Sequence, residues 1–357
     1  MRAVRSFLAA ALLLAAGCAE DGDTPLGPTV EPPADEGVGS AFGLAVMTQN
    51  LYVGADVDAV IGALASPDPA DDVPALLTAV ETLRRTDWGR RASAIADAIA
   101  RYRPHAVGLQ EVSTIDLTIP PLGVDVHLSF LPSLLEELGD RGLTYTAAAR
   151  VSNFEVSPFP GVTLADEDVL LVDASRVAVH GTTARKFTAN VGQVAPGVVL
   201  ERGWVSASVS VGGKSYTIAS THLEAGSVAG LAQLRALQAG ELAQSLAGAG
   251  TAIVMGDLND VPGSPMHQVL AGAGYADLWA ELRPGVVGFT CCHLPDLSET
   301  VPRFDERIDY VFVRGLGDDL HGQVLRLGEV PADRVAGPDH PIWPSDHAGL
   351  MARLGGS

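Results

Sequence analysis

Short apolar runs that end or begin in polar clusters constrain this chain more than any other feature. Asn50 closes the run LAVMTQ, Glu111 follows AVGLQ, His222 follows YTIAST, and Asp257-Leu258-Asn259 follows AIVMG. Two clusters stand at the opposite ends of their runs. Asp309 heads IDYVFV, and Ser345-Asp346-His347 precedes the apolar stretch 348–354. Side chains alternate across a strand, so Leu44, Val46, Thr48 and Asn50 share one face, as do Val107, Leu109 and Glu111. Ile218, Ser220 and His222 line up likewise, and so do Ile253, Met255 and Asp257. Each apolar face is expected to run inward and to deliver a polar group at its C-terminal end. If the strands headed by Asp309 and by Asp346-His347 run antiparallel to the others, all the clusters gather at one edge.

The chain has 357 residues, 47% of them hydrophobic and 18% charged, enough for one large core or two medium ones. No repeat or second linker interrupts 44–354, so 42–355 reads as one domain. Helices are expected at 57–64, 73–85 and 87–102; in the last, Trp88, Ala92, Ile95, Ile99 and Tyr102 recur at helical spacing and Pro104 ends it. Further helices are expected at 130–138 and 231–246, and Ser264-Pro265 reads as a helix start. Strands are expected at 44–51, 106–110, 144–151, 168–172, 177–179, 204–211, 215–220, 251–255, 308–313 and 349–354. Gly212-Gly213 marks a hairpin, whereas 112–128 and 153–165 read as proline-bearing loops. Strands interleaved with helices indicate a layered α/β protein with sheets in the middle.

The net charge is −20 and lysine is confined to Lys186 and Lys214, so no basic stripe exists for tight non-specific binding of nucleic acid. A nuclease is not excluded, because bound divalent cations offset charge locally. Arg2 and Arg5 precede the apolar stretch 7–16, which ends in Leu14-Ala15-Ala16-Gly17-Cys18. That ending resembles the lipobox of bacterial lipoproteins. It implies a signal peptide over 1–18, lipidation at Cys18, a flexible acidic Pro/Gly linker over 19–41, and an exported protein lipid-anchored in the bacterial cell envelope, facing the periplasm or the surface. An ordinary secretory peptide cut near Cys18 is the competing reading. Cys291 and Cys292 are too few for a disulfide framework or a Cys-only zinc site; as neighbours they either form a vicinal disulfide or stay as buried thiols.

The ordered set Asn50, Gln110-Glu111, Thr221-His222-Leu223-Glu224, Gly256-Asp257-Leu258-Asn259, Arg307-Ile308-Asp309-Tyr310 and Ser345-Asp346-His347 resembles the endonuclease/exonuclease/phosphatase (DNase I-like) superfamily. That group includes DNase I-like nucleases, abasic-site endonucleases, neutral sphingomyelinases and inositol-polyphosphate 5-phosphatases. The resemblance spans most of 44–354. It implies a four-layer α/β/β/α sandwich, two mixed β-sheets packed face to face with helices outside. It also implies hydrolysis of a phosphodiester by direct attack of water, dependent on Mg²⁺ with Mn²⁺ as a substitute. On this resemblance Glu111 is the principal metal ligand, with Asn50 and Asp346 beside it. His347 acts as base, Asp309 holds its tautomer, Asp257 and Asn259 position nucleophile and phosphoryl oxygens, and His222 donates to the phosphate. Arg202 stands where a phosphate-contacting arginine is expected. The residue orienting His222 is Asp166, Glu167 or Asp168, with Asp168 favoured because it directly precedes VLLV.

The expected partners are a phosphoester, either nucleic acid or a phospholipid head group, and the membrane through the lipid anchor; no protein partner is implied. A non-catalytic lipoprotein using the same fold as a binding module is the alternative. His105, His127, His180, His267, His293 and His321 lack the polar context and read as surface or packing residues. Asp339-His340 imitates the acid-histidine pair inside a proline-rich loop. Trp204, Trp279 and Trp343 read as core, with Trp343 close enough to Asp346 to line a pocket, and Arg84, Arg85, Arg90 and Arg91 as a solvated helix face.

Overall fold

Strands β1 (Leu44–Asn50), β2 (Ala106–Gln110), β3 (Thr114–Ile119), β4 (Val124–Ser129), β5 (Tyr145–Phe159) and β6 (Val162–Asp173) lay down most of one sheet. The chain then builds a second sheet from β7 (Ala178–Lys186), β8 (Gly203–Val211), β9 (Lys214–His222), β10 (Ala252–Asp257) and β11 (Asp309–Arg314). It returns to the first with β12 (His321–Leu327) and β13 (Gly349–Gly355). The first sheet runs β12-β13-β1-β2-β6-β3-β4 with β5 on β6; the second runs β11-β10-β9-β8-β7, extended at β11 by Ala276–Asp277. β1–β2 and β9–β10 are parallel, whereas β1–β13 and β10–β11 are antiparallel, so both sheets are mixed. That polarity brings the starts of β11 and β13 to the same edge as the ends of β1, β2, β9 and β10. This computed structural model describes residues 43–355 apart from 57–58, 60–67, 69, 160, 196–197 and 318–319. The expected signal peptide, Cys18, the linker and most of the expected helix at 57–64 lie outside the described residues. Among the described residues no helix is long and apolar enough to cross a membrane.

The helices are α1 (Asp72–Arg85), α2 (Trp88–Tyr102), α3 (Phe130–Asp140), α4 (Leu231–Ser245) and α5 (Pro265–Gly272), with a further turn of helix at Leu278–Leu282. Three apolar layers separate four layers of structure. Leu44, Val46, Leu170, Val205, Ile218, Ile253, Met255, Val311 and Leu350 fill the space between the sheets. Met47, Val107 and Leu109 on the outer face of the first sheet meet Ile95 and Ile99 of α2 and Leu134 of α3. Ala219, Val254 and Phe312 on the outer face of the second meet Leu242 of α4 and Leu270 of α5. The architecture is therefore the α/β/β/α sandwich that the sequence implies.

α2 shows why the chain folds this way locally. The Asp87 side chain accepts from the Arg90 amide as N-cap, and Trp88, Ala92, Ile95, Ala96 and Ile99 bury one face. Each large member of that face contributes roughly 1.5–3 kcal/mol by leaving water. The helix stops at Arg103, which takes a left-handed conformation before Pro104.

Three expectations need correction. Residues 112–128 and 153–165 are not loops. Ile115, Leu117, Val124 and Val126 alternate inward from a hairpin that packs under Val80 and Leu83 of α1, and Pro120-Pro121 only make its turn. The strands expected at 144–151 and 168–172 are parts of the longer pair β5–β6, whose outer half sets Val162 and Leu164 against the core of the neighbouring hairpin. Arg91 is not on a solvated face. It is 1% exposed, and its guanidinium donates to the carbonyls of Thr86 (2.8 Å), Leu51 (2.5 Å) and Tyr52 (3.1 Å). It thereby staples α2 to the segment that follows Asn50.

Candidate active site

Two half-sites meet where the sheets share an edge. From the first sheet come Asn50, Glu111, Asp346 and His347; from the second come His222, Asp257, Asn259 and Asp309. Asn50 joins the halves, because its Nδ2 donates to Glu111 Oε1 at 2.9 Å and to Asp257 Oδ2 at 3.0 Å. Its Oδ1 accepts from the Tyr52 amide at 2.9 Å, which fixes the orientation of the side-chain amide. Glu111 Oε2 accepts from the Val53 amide at 2.9 Å. Glu111 reaches this place by a route that strand alternation does not predict. Val107 and Leu109 lie in the helix-facing layer, so the same alternation would carry Glu111 away from the sheet interface. A φ of 54° at Glu111 turns the chain and swings the carboxylate back to Asn50. Deeper in, Gly108 lets the halves approach: a Cβ there would lie 2.5 Å from Ser220 Oγ, and Gln110 Nε2 donates to the same oxygen at 3.0 Å.

His347 and Asp309 form a buried pair across the two sheets, Nδ1 to Oδ2 at 2.8 Å. The backbone holds both partners. Ser345 Oγ accepts from the His347 amide at 3.1 Å and donates to Asn50 O at 2.7 Å, and Thr290 Oγ1 accepts from the Asp309 amide at 3.2 Å. Burial would depress the imidazole pKa, but the facing carboxylates of Asp309 and Asp346 override it and hold His347 well above the ordinary histidine value. With Nδ1 committed to Asp309, Nε2 faces the cluster and lies 3.9 Å from Asp257 Oδ2. Asp257 is raised by burial and by the Asp309 carboxylate; Asp346 is raised by burial and, in turn, by Glu111. While these carboxylates are uncompensated the ring is held as the imidazolium; once their charge is offset and Nε2 has lost its proton, a histidine held by a carboxylate at Nδ1 can take a proton from water at Nε2.

His222 Nε2 lies 3.4 Å from Asp257 Oδ2, and its Nδ1 is buried with no hydrogen-bond partner among the described residues. Burial, Arg202 and His347 all push its pKa well below the usual value, so the ring is neutral. Asp168 Oδ2 accepts from the His222 main-chain amide at 3.1 Å, holding the residue by its backbone and not its ring. Alternation sends Glu167 outward to Arg150 while Asp166 and Asp168 point inward, where Asn153 Nδ2 donates to both, at 2.7 and 3.0 Å. Burial pushes Asp166 up to about 7. Arg202 Nε lies 3.5 Å from the buried Glu224 Oε1, and Asp166, Asp168 and Glu111 add to the negative field around it. The guanidinium is thus a counter-charge beneath the site, with 13% of its side chain exposed. Asn259 Nδ2 donates to Leu223 O at 3.0 Å, and its amide donates to Asp257 Oδ1 at 3.0 Å.

Glu224, Ser345, Thr290 and Cys292 take part in this arrangement without having been singled out for it. Glu224 and Ser345 lie inside the quoted motifs, and their positions next to His222 and Asp346 are the signal that could have found them. Thr290 and Cys292 carry no sequence signal of this kind. Cys291 and Cys292 form a disulfide, and Cys292 Sγ lies 3.7 Å from His347 Nε2. Trp343 is fully buried and stacks on His293 at 4.5 Å between centroids, so it is core and not a pocket wall. Asp339 lies 3.5 Å from Arg85 on the surface, away from the cluster.

The donor set suits a divalent metal ion. Glu111 and Asp346 are carboxylates close enough that one raises the pKa of the other, and the two hydrogen bonds to Glu111 leave oxygen lone pairs free. Hard oxygen ligands of this kind fit Mg²⁺ or Mn²⁺. Asp257, Asp309 and His347 also bring ligand atoms within 4.8 Å of one another.

With the same order of residues at one sheet edge, the fold and site define a phosphoesterase-type sandwich. The endonuclease/exonuclease/phosphatase family matches residues 47–347, and the chain belongs to it. Members of that family are phosphoester hydrolases that generally depend on a divalent metal. Solved structures share the fold. A family protein from Beutenbergia cavernae is 20% identical with a TM-score of 0.55, over 88% of this chain and 72% of that one. The Bacteroides thetaiotaomicron mannosyl-6-phosphatase Bt3783 is 15% identical with a TM-score of 0.54, over 87% and 99%. The human Nocturnin catalytic domain, solved with a bound sulfate anion, is 17% identical with a TM-score of 0.52, over 88% and 94%. A comparison with curated proteins finds no match.

Proposed function

We propose that the chain is an exported, lipid-anchored phosphodiesterase that uses Mg²⁺ and attacks its substrate directly with water. The observation that carries this reading is the His347–Asp309 pair at 2.8 Å, with Nε2 3.9 Å from Asp257 Oδ2. Glu111 and Asp346 would hold the ion, and Asn50 positions Glu111 through its amide. When bound, the ion supplies charge to polarise the phosphoryl oxygens and offset the acidity of the cluster. His347 Nε2 takes the proton of the attacking water, and Asp309 stabilises the imidazolium that forms. Asp257 and Asn259 orient the water and the phosphoryl group. The neutral His222 donates a hydrogen bond to the phosphoryl oxygen as charge builds. The reading involves no covalent enzyme intermediate, since among the described residues no serine or threonine hydroxyl bonds to either histidine ring and Cys292, beside His347, is held in a disulfide. The anchor at Cys18 and export rest on the N-terminal sequence alone.

The test incubates the full chain, wild type beside His347→Ala and Asp257→Ala, with Mg²⁺ and either plasmid DNA or sphingomyelin vesicles. Wild type is expected to consume one of the two, and each variant to lose that turnover at an unchanged melting temperature. Full activity in both variants would overturn the assignment of the base. Inertness of the wild type toward both substrates would shift weight to a small phosphoester or to the binding-module alternative.

A further inference from the structure

The segment carrying Cys291 and Cys292 is tied onto the catalytic pair from both sides. Thr290 Oγ1 accepts from the amides of Ile308 and Asp309, each at 3.2 Å, and Thr290 O accepts from the Ala348 amide at 2.8 Å. The His293 amide donates to Asp346 O at 2.9 Å, while Cys291 exchanges backbone hydrogen bonds with Glu306. Cys292 Sγ is therefore fixed 3.7 Å from His347 Nε2, the nitrogen that faces Asp257 at 3.9 Å. Both sulfurs and an imidazole nitrogen of His347 lie within 4.8 Å of one another. In a tetrahedral zinc site, Zn–S of about 2.3 Å and Zn–N of about 2.0–2.1 Å set the sulfur and nitrogen about 3.6 Å apart. The observed separation already matches.

We propose that reduction of the Cys291–Cys292 disulfide opens a Cys₂His site for a thiophilic divalent cation such as Zn²⁺, and that its occupation silences the enzyme by taking the Nε2 lone pair of His347. The oxidised pair offers no thiolate and leaves Nε2 to the water. Reduction by a trialkylphosphine and water cleaves the S–S bond; the phosphine leaves as its oxide, and the two water protons cap the sulfurs. Zn²⁺ then displaces both thiol protons and the Nε2 proton of His347, three protons leaving to the buffer, and binds the two thiolates and the ring nitrogen. A redox change thereby alters metal preference from oxygen donors beside Glu111 to sulfur donors beside His347. The binding claim stands on the cluster itself, and only the silencing clause rests on the proposed role of His347.

The experiment uses the full chain with Cys18→Ser throughout, so that Cys291 and Cys292 are the only thiols. Protein isolated in air and protein treated with phosphine under argon are equilibrated with Zn²⁺ in excess Mg²⁺, and bound zinc is counted by mass spectrometry. Reduced protein is expected to hold one more zinc than oxidised protein. That increment should vanish in Cys291→Ser and Cys292→Ser, both checked for melting temperature, and Cd²⁺ should give a thiolate charge-transfer band only after reduction. Equal zinc in the two redox states, an increment that survives Cys292→Ser, or two free thiols in the air-isolated protein each overturns the proposal. Loss of at least tenfold in turnover on zinc loading, restored by chelation, carries the silencing clause, and undiminished turnover overturns that clause. If the oxidised wild type turns over nothing, the reading of the function fails while the zinc count still decides the site.

Discussion

Replacing Gly108 by alanine tests how the site depends on the spacing of the two sheets. The new Cβ would lie 2.5 Å from Ser220 Oγ, 2.9 Å from Ser220 Cβ and 3.1 Å from Met255 Cε. The hydroxyl can rotate away, but Ser220 Cβ is fixed to the backbone of β9 and falls about 0.5 Å short of the 3.4 Å at which ordinary contact begins. β9 must retreat from β2 by about that amount. Two residues further along β9 is His222, and three residues beyond Gly108 is Glu111, so the retreat is transmitted to both half-sites. Overpacking of this kind costs about 1–3 kcal/mol, which at roughly 2–4 °C per kcal/mol lowers the melting temperature by roughly 2–12 °C. A misplacement of 1 Å can cost on the order of 100-fold in rate, so half of that is expected to cost about tenfold. Thermal melts and initial rates read the two effects. Ser220→Gly removes both offending atoms, so in a double-mutant cycle Gly108→Ala should cost less in the Ser220→Gly background, by about 1 kcal/mol or more. Strict additivity in that cycle, or a Gly108→Ala protein that melts and turns over like wild type, would refute the reasoning.

Asp309→Asn removes the carboxylate that faces His347 Nδ1 at 2.8 Å; kcat is expected to fall by roughly 10²–10⁴ with KM little changed, and initial rates within threefold of wild type would sink the pairing. Arg91→Met leaves the carbonyls of Thr86, Leu51 and Tyr52 without their donors. At about 1 kcal/mol or more each, the loss should reach about 3 kcal/mol, read from the urea midpoint. His105 Nδ1 accepts from the Ala45 amide at 3.0 Å, and burial with Arg176 pushes its pKa from 6.5 down to about 4. The folded-state value is the lower one, so this contribution to stability is whole above pH 6.5 and fades as the pH falls through about 4. His105→Asn keeps an acceptor that does not titrate, and should flatten the decline of melting temperature over that window; an unchanged slope would count against it.

The strand ends were legible because burial leaves a simple mark: an apolar run must stop where its side chains meet polar chemistry. That mark located Asn50, His222, Asp257, Asp309 and His347 at one edge, and the antiparallel placement of β11 and β13 met the condition set for them. Where one dihedral overrode alternation, the pattern put the residue beside Asn50 for the wrong reason, as at Glu111. Asp168 was legible as an inward acid beside His222, but sequence carries nothing to tell a bond to the main chain from one to the ring. The hairpin of β3 and β4 does alternate at Ile115, Leu117, Val124 and Val126, but the prolines of its turn read as a loop. Arg91 and Cys292 were unreadable for a different reason. Their partners are carbonyls and a ring nitrogen brought close by tertiary packing, and a guanidinium that satisfies carbonyls looks no different in sequence from one in water.

β13 lies between β12 and β1 in the interior of the first sheet, and His347 is delivered only where that strand begins. Asn50, the other end of the constellation, sits on β1, the neighbour that β13 must find. A nascent chain can therefore bring Asn50, Glu111 and Asp257 into place and still lack both Asp346 and the base. On the proposed mechanism, hydrolytic power arrives in one step, with the insertion of 349–355, and not gradually as the chain emerges. Under the proposed export, that order of assembly would withhold activity until the last strand is in place, so the compartment that folds this strand is also the one that first meets the enzyme.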